Sequence, residues 1–321
     1  MRTLSLWIAS AAIGLGLSPA ASAQWTPTKP IKMVVPYAPG GAADLTARLM
    51  AEQLGLALGQ TVIVENRAGG GGIIGADVLA KAVPDGYTIS FGSDPPFTIN
   101  PHLQKVPYDP LKSFAPVSLI TKVPQVLSLH PSIPAANIKQ LVELAKDPRS
   151  KLNYGSAGNG TTGHLVGELL KKRAGIPLTH VPFKGSGPAL TALLSNDVGI
   201  MLSGPPAVLA LSQAGRLRVL ATSGVTRTPV MPDVPTFIES GLPIEITSWY
   251  CMVVPAGTPP VIVKQLHAAL VDSLKSPQVA EALLKMGAPP EWSSPAELTV
   301  FLRAEIRKFA EVVEIAGAKI D

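Results

Sequence analysis

The sequence predicts an α/β protein of two hinged lobes, each a doubly wound sheet with flanking helices, and three observations carry that reading. Within residues 31–50, the unbroken apolar run Met33-Val34-Val35 suits a strand covered on both faces, as in a parallel sheet. Pro36 and Pro39 stop that strand, Gly40 and Gly41 free the backbone, and Asp44 opens a helical pattern with Leu45 and Leu49 on one face. This unit of strand, glycine loop and helix entry recurs along the chain, and such alternation marks a doubly wound sheet. A long apolar run at 245–254 is placed to carry the chain back into the first lobe after a second alternation has been completed.

In order, the first helix fades near Gly59, and 61–65 reads as a short strand. Asn66-Arg67 and four glycines then lead into a helix over 73–83. Asp85-Gly86 turns into a strand at 87–91, followed by the polar turn Gly92-Ser93-Asp94-Pro95-Pro96. Residues 103–124 are punctuated by proline, with a crossing between lobes near 121–125. The second alternation runs through a strand from Val126, a helix at 138–146, a strand at 151–155 and a helix at 161–173. A strand at 179–182, a helix at 188–195 and strands at 198–202 and 217–221 follow. Helices over 259–286 and 295–316 close the first lobe.

Composition removes several classes of function. Arg2, an apolar run over 4–17, Pro19 and Ala21-Ser22-Ala23 make residues 1–23 a cleavable secretory signal peptide, so the mature protein is expected to be exported. Cys251 is the single cysteine, which rules out an intramolecular disulfide and suits a buried, inert thiol. The formal net charge is +5, but the basic residues are scattered, so nucleic acid is not an expected partner. The five histidines show no metal-ligand spacing. Neither G-x-S-x-G nor S-x-x-K occurs, and Ser156 and His164 read as a capping serine and a helix-face histidine. The G-x-G-x-x-G matches at Gly70 and Gly158 are poor dinucleotide signals, and no cofactor is expected.

What remains is a set of loops at the carboxyl ends of strands, where open α/β sheets bind ligands. Backbone N–H groups and the positive end of the helix dipole converge at such a helix entry, so an anion can be held there without a cationic side chain. The first entry offers Tyr37, Ala38, Pro39, Gly40, Gly41, Ala42 and Asp44; the stretch 153–164 offers Ser156, Gly158, Gly160, Thr161, Thr162 and His164. Lys184, Gly185 and Ser186 form a further anion-friendly entry. Ser93, Asp94, Ser203 and the crossing residues Thr247-Ser248-Trp249 complete the candidates. Asp94 is the odd one, an acid among groups suited to anions. It either caps a turn, the expected role, or pairs with a positive group on the ligand. Trp249 is either hinge packing or a ring wall.

With these residues in place, the chain resembles the Bug family of periplasmic solute-binding proteins, the receptors of tripartite tricarboxylate transporters. The resemblance is carried by KPIKMVVPYAPGGAADLTARLMAEQLG, VIVENRAGGGGIIGA, PDGYT, YDPLKSFAPVSLI, KLNYGSAGNGTTGHLVGELL, HVPFKGSGPAL, GRLRVLA, PDVPTFIESGLP and VPAGTPP. It implies a two-domain type II periplasmic-binding fold, a Venus flytrap, with lobe 1 at 24–122 and 250–321 and lobe 2 at 123–249. It also implies that the Pro39-Gly40-Gly41 loop and the Gly160-Thr161-Thr162 entry grip carboxylates through backbone N–H groups, hydroxyls and water. The implied partners are a small carboxylated solute, such as a di- or tricarboxylate, aromatic acid or acidic amino acid, and membrane permease subunits; the protein is expected to be a monomer and not an enzyme. An orphan periplasmic sensor is the alternative, with a cleft hydrolase using Ser156 and His164 behind it. Family members usually carry small polar residues after the third strand, whereas this chain has Asp94-Pro95-Pro96. That departure points to a solute with an amine, amide or ring nitrogen, or to an aromatic acid walled by Phe97 or Trp249.

Overall fold

The computed structural model describes residues 25–147 and 149–320; the expected leader, residues 1–23, lies outside them. The first sheet gathers β1 (Ile31–Val35), β2 (Val62–Asn66), β3 (Thr88–Ser93), β4 (Phe114–Pro124) and β10 (Thr247–Pro255) in the order β2-β1-β3-β10-β4. The second gathers β5 (Val126–Leu129), β6 (Asn153–Ser156), β7 (Thr179–Pro182), β8 (Ile200–Ser203) and β9 (Arg218–Thr222) in the order β7-β6-β8-β5-β9. Three strands in each sheet run parallel, as the apolar strand pattern predicts. The strand that enters each sheet from the other lobe lies antiparallel between two neighbours: β10 between β3 and β4, and β5 between β8 and β9. Both sheets are therefore mixed, because each crossing delivers its strand from the opposite end.

The helices are α1 (Ala42–Leu58), α2 (Ile73–Ala80), α3 (Asn100–Leu103), α4 (Ile138–Lys146), α5 (Thr162–Ala174), α6 (Ser186–Leu194), α7 (Pro205–Gln213), α8 (Pro260–Lys275), α9 (Pro277–Lys285) and α10 (Pro295–Ala316). Helix α1 buries Ala43, Ala47, Met50 and Leu54 at helical spacing, while Leu45 is 38% exposed. Its inward face is thus a different stripe from the expected Leu45 and Leu49, with small residues letting the helix lie close to the sheet. Burying Met50 and Leu54 contributes roughly 1.5–3 kcal/mol each. Gly59 ends α1 in the left-handed region at φ 65°.

Other departures have local causes. The single helix expected over 259–286 is broken at Ser276, whose ψ of 127° is what a following proline, Pro277, imposes. Helix α7 was not expected from the sequence; Pro205 opens it at a first-turn position that tolerates proline. The turn expected at 92–96 belongs partly to β3, after which Pro95–Ile99 coil into a π-helical turn leading to α3. The crossing expected near 121–125 is strand as far as Pro124, leaving Gln125 alone between β4 and β5.

Helix α10 ties the two cores together. Ser294 and Glu297 form a reciprocal capping box at its start. Leu298 and Leu302 pack with Phe97, Trp249 and Cys251 of the first-sheet core, whereas Phe309, Val313 and Ala316 pack with Tyr154, Leu165 and Leu170 of the second.

Candidate functional site

A cavity of about 50 Å³ lies between the two sheets, at the carboxyl ends of β3, β6 and β8. Helix starts converge on it: Ala42 and Ala43 of α1 from one lobe, and Thr161, Thr162 and Gly163 of α5, Ser186 of α6 and Gly204 before α7 from the other. These starts direct N–H groups and positive dipole ends toward one small volume. Between them stand the hydroxyls of Ser93, Ser203, Ser248 and Tyr250. Among the described residues no lysine, arginine or histidine lines the space, and Asp94 is the only formally charged one that does.

The floor is made by the two crossings. Gln125 N donates to Ser223 Oγ at 2.8 Å, and Gln125 Nε2 donates to Ser248 Oγ at 3.0 Å. The single residue that leaves the first sheet is thereby bonded to the strand that returns. Above it, Tyr37 Oη and Ser93 Oγ lie 3.0 Å apart, and burial holds the Tyr37 phenol well above its ordinary pKa, hence neutral.

The glycine loops form the seam between the lobes. Ala38 N donates to Lys184 O at 2.8 Å, and Ala42 N donates to Ser186 Oγ at 3.0 Å. A Cβ on Gly41 would overlap Ser186 Oγ, and one on Gly187 would overlap Pro39 O, so these positions need glycine for close approach across the lobes. The second glycine-rich entry, at Gly71, meets Asn159 O in the same way. Ala38, Pro39, Gly40, Gly41 and Gly185 therefore sit along the seam beside the cavity, not on its wall, and the exposed Lys184 meets the seam through its carbonyl.

Local chemistry accounts for the remaining candidates. Asp44 accepts from Gly40 N at 2.9 Å, from Arg48 Nε and Nη2 at 3.0 Å each, and from Asn66 Nδ2 at 2.9 Å. Burial opposes its ionisation, but these donors win and hold its carboxyl below the usual range. Thr161 caps α5, accepting from His164 N at 3.5 Å and donating to Gly158 O at 2.7 Å. Ser156 is fully buried and off the cavity wall; its Oγ accepts from Gly158 N at 3.1 Å and lies 2.7 Å from His180 Nε2. His164 is buried rather than on an exposed helix face: its Nδ1 accepts from Gly160 N at 3.1 Å, and its ring stacks on His180 at 4.2 Å. Burial, with the charges of His164 and Lys171 adding, pushes the His180 pKa down to about 3, so that ring is neutral. Serine and histidine therefore meet in the Ser156–His180 pair, off the cavity wall, with the serine buried and the histidine half-buried.

Trp249 stands away from the cavity. Its Nε1 donates to Glu305 Oε2 at 3.0 Å and its ring packs against Phe97 and Phe301, so Phe97 and Trp249 share a core and not a ligand wall. Strand alternation explains the displacement: Ser248 and Tyr250, its neighbours along β10, face the cavity from the other side of the sheet. Asp94 is 1% exposed and makes no capping bond to the turn it precedes, contrary to the role expected for it. Its Oδ2 instead accepts from Thr162 Oγ1 of the opposite lobe and from Ser248 Oγ at 3.4 Å. Burial pushes its pKa up to about 7; the Thr162 bond works against that rise and the negative Glu305 adds to it.

Nine candidates share the cavity: Tyr37, Ala42, Ser93, Asp94, Thr161, Thr162, Ser186, Ser203 and Ser248. Gln125 and Tyr250 line it without having been candidates. Their signal lay in position, a polar residue alone between β4 and β5 and the partner of Ser93 in the β3–β10 register. Among the described residues no cluster of three His, Cys, Asp or Glu could hold a metal, and no helix is long and apolar enough to cross a membrane.

Comparison with known proteins gives the same class of molecule. The chain is 36% identical to protein BugT of Bordetella pertussis over 323 aligned residues, covering 100% of this chain and 98% of that one. Its structure is similar to that of the periplasmic binding protein BugD, with a TM-score of 0.88, 35% identity and coverage of 91% of this chain and 99% of BugD. It is equally similar to R. palustris Rpa4515 solved with adipate, with a TM-score of 0.88, 36% identity and coverage of 92% and 99%. The model of the tripartite tricarboxylate transporter family receptor, TctC, matches residues 46–317. The chain therefore belongs to the TctC family of tripartite tricarboxylate transporter receptors, the periplasmic solute-binding proteins that include the Bug proteins.

Proposed function

We propose that the exported mature chain, a monomer and not an enzyme, captures a small carboxylated solute between its lobes and hands it to the membrane permease subunits of a tripartite transporter. The observation that carries this reading is the convergence of four helix starts, from both lobes, on a cavity that no basic side chain lines among the described residues. Such a cavity holds an anion by backbone N–H groups and hydroxyls. Each charge-assisted hydrogen bond contributes about 1.5–3 kcal/mol, so four or five, after association costs, give micromolar affinity or better. The adipate in the Rpa4515 structure is a dicarboxylate and supports the same solute class.

The lobes proposed are 24–122 with 250–321, and 123–249, turning about Gln125 and the start of β10. A solute that reaches helix starts on both lobes favours closure because it contacts both at once only in the closed state. Tyr37, Ala42, Ser186 and Ser203 with the α5 entry are the proposed contacts, and the glycine seam sets how closely the lobes approach. Isothermal titration of the mature chain against di- and tricarboxylates, aromatic acids and acidic amino acids tests this. One class binding at micromolar Kd or tighter, and recovered unchanged, is the expected result. A chain that binds none of them, or that converts its solute, defeats the proposal.

A further inference from the structure

The cavity has two kinds of pole, and the family reading uses only one. Helix starts supply positive backbone poles at Ala42, Thr162 and Ser186, whereas Asp94 supplies a buried carboxylate facing the same space. The other buried acid at this end of the fold, Asp44, is paired with Arg48 at 3.0 Å. Asp94 is held by the hydroxyls of Thr162 and Ser248 and by the backbone N–H groups of its own residue and Trp249, no cationic side chain being among these partners; its charged neighbour is the negative Glu305, itself held by Trp249 Nε1 and by Lys308 at 3.5 Å. A buried carboxylate without a counter-ion is unfavourable, and structural acids are ordinarily paired. Asp94 also does not cap its own turn, and the bonds it does make are all to neutral donors.

The missing counter-ion fits the solute. A second carboxylate brought beside Asp94 meets like charge, whereas an ammonium group there gains a charge-assisted bond and offsets the desolvation of the acid. We propose that the solute is an amino-carboxylate, an acid that also carries a protonated amine, and that Asp94 is the specificity-determining residue that receives its N–H cation. This deepens the carboxylate-capture reading and rests on it. The carboxylate of such a solute lies against the starts of α1 and α6, while its ammonium takes the hydroxyl-lined side formed by Asp94, Thr162 and Ser248.

Matched pairs differing only in the amine test the assignment: aspartate against succinate, glutamate against glutarate, and 4-aminobutyrate against butyrate. Each is titrated calorimetrically into the mature wild-type chain and into Asp94→Asn. For the pair that fits the cavity, the amine-bearing member is expected to bind wild type at least about tenfold tighter than its partner. Asp94→Asn is expected to lose at least about tenfold for the amine-bearing member and to bind the amine-free one equally well or better. A wild type that prefers the amine-free member overturns the proposal, and so does a variant that weakens both members alike, which marks Asp94 as a purely structural contact to Thr162. The wild-type ratio decides the matter even where Asp94→Asn fails to fold. Should no carboxylate of any kind bind wild type, the capture reading falls and takes this one with it; binding of amine-free acids alone removes only the role of Asp94.

Discussion

The seam between the lobes gives a sharp prediction at Gly41. Its backbone is extended, with φ −94° and ψ 175°, so alanine adopts this conformation without strain. Across the seam, however, a Cβ there would overlap Ser186 Oγ and come within 2.9 Å of Gly187 N and 3.2 Å of Ser186 N. Two of these neighbours are backbone atoms at the start of α6 and cannot rotate away. Gly41→Ala therefore leaves each lobe intact but penalises their approach, by about 1–3 kcal/mol on the scale of overpacked contacts. On the proposed reading, in which the closed form holds the solute, affinity falls by the same free energy, about 5- to 150-fold. Gly40→Ala is the control: its φ of 80° strains the loop, but nothing lies within 4 Å of the new methyl group. Calorimetric titration with the tightest-binding acid, alongside thermal melts without solute, reads both effects. Gly41→Ala should melt near wild type without solute and lose much of its solute-dependent gain; wild-type affinity in Gly41→Ala would refute the role of the seam in closure.

Three further outcomes follow from the same geometry. Thr161→Val removes the cap of α5 and should lower stability by about 1 kcal/mol while weakening solute binding at least about tenfold, readable by denaturation and titration. Ser156→Ala removes bonds to Gly158 and His180 away from the cavity wall and should lower the melting temperature with solute affinity unchanged; a large affinity loss would place Ser156 at the solute. Asp94 has a folded pKa of about 7, above its unfolded value, so the folded chain binds the extra proton between roughly pH 4 and 7. Stability without solute therefore declines as pH rises through that window, by up to about 1.4 kcal/mol per unit, and Asp94→Asn should flatten this component in melts taken at pH 5 and 8.

Much of the architecture was legible because it is written in periodicity. The run Met33-Val34-Val35 identifies a strand buried on both faces, and Gly59 and Pro295 mark helix ends by rules that act within a few residues. Three of the four helix starts at the cavity stand behind motifs visible in the sequence, at Gly41, Thr161 and Gly185. The fourth, at Gly204, was hidden because two prolines conceal a helix opening as readily as they announce a loop. What sequence reasoning could not supply is which side of each loop faces the other lobe. Gly40 and Gly41 were legible as a place where backbone is free, but that freedom serves contact with Ser186 and Gly187, a relation between residues far apart in the chain. Trp249 illustrates the same limit within one strand, since a single-residue step separates the core face from the cavity face. His180 was overlooked as the partner of Ser156 because β6 and β7 pair in register only once folded.

In the proposed function, opposed helix starts, and not a basic side chain, hold the solute's carboxylate between the lobes. A crystal structure of the mature chain with its tightest-binding acid tests it most directly. A carboxylate within about 3 Å of backbone N–H groups at the starts of α1 and α5 or α6, with both lobes contributing, is the expected result. A solute lodged outside the interlobe cavity, or held by a lysine or arginine side chain with the helix starts unengaged, would contradict it.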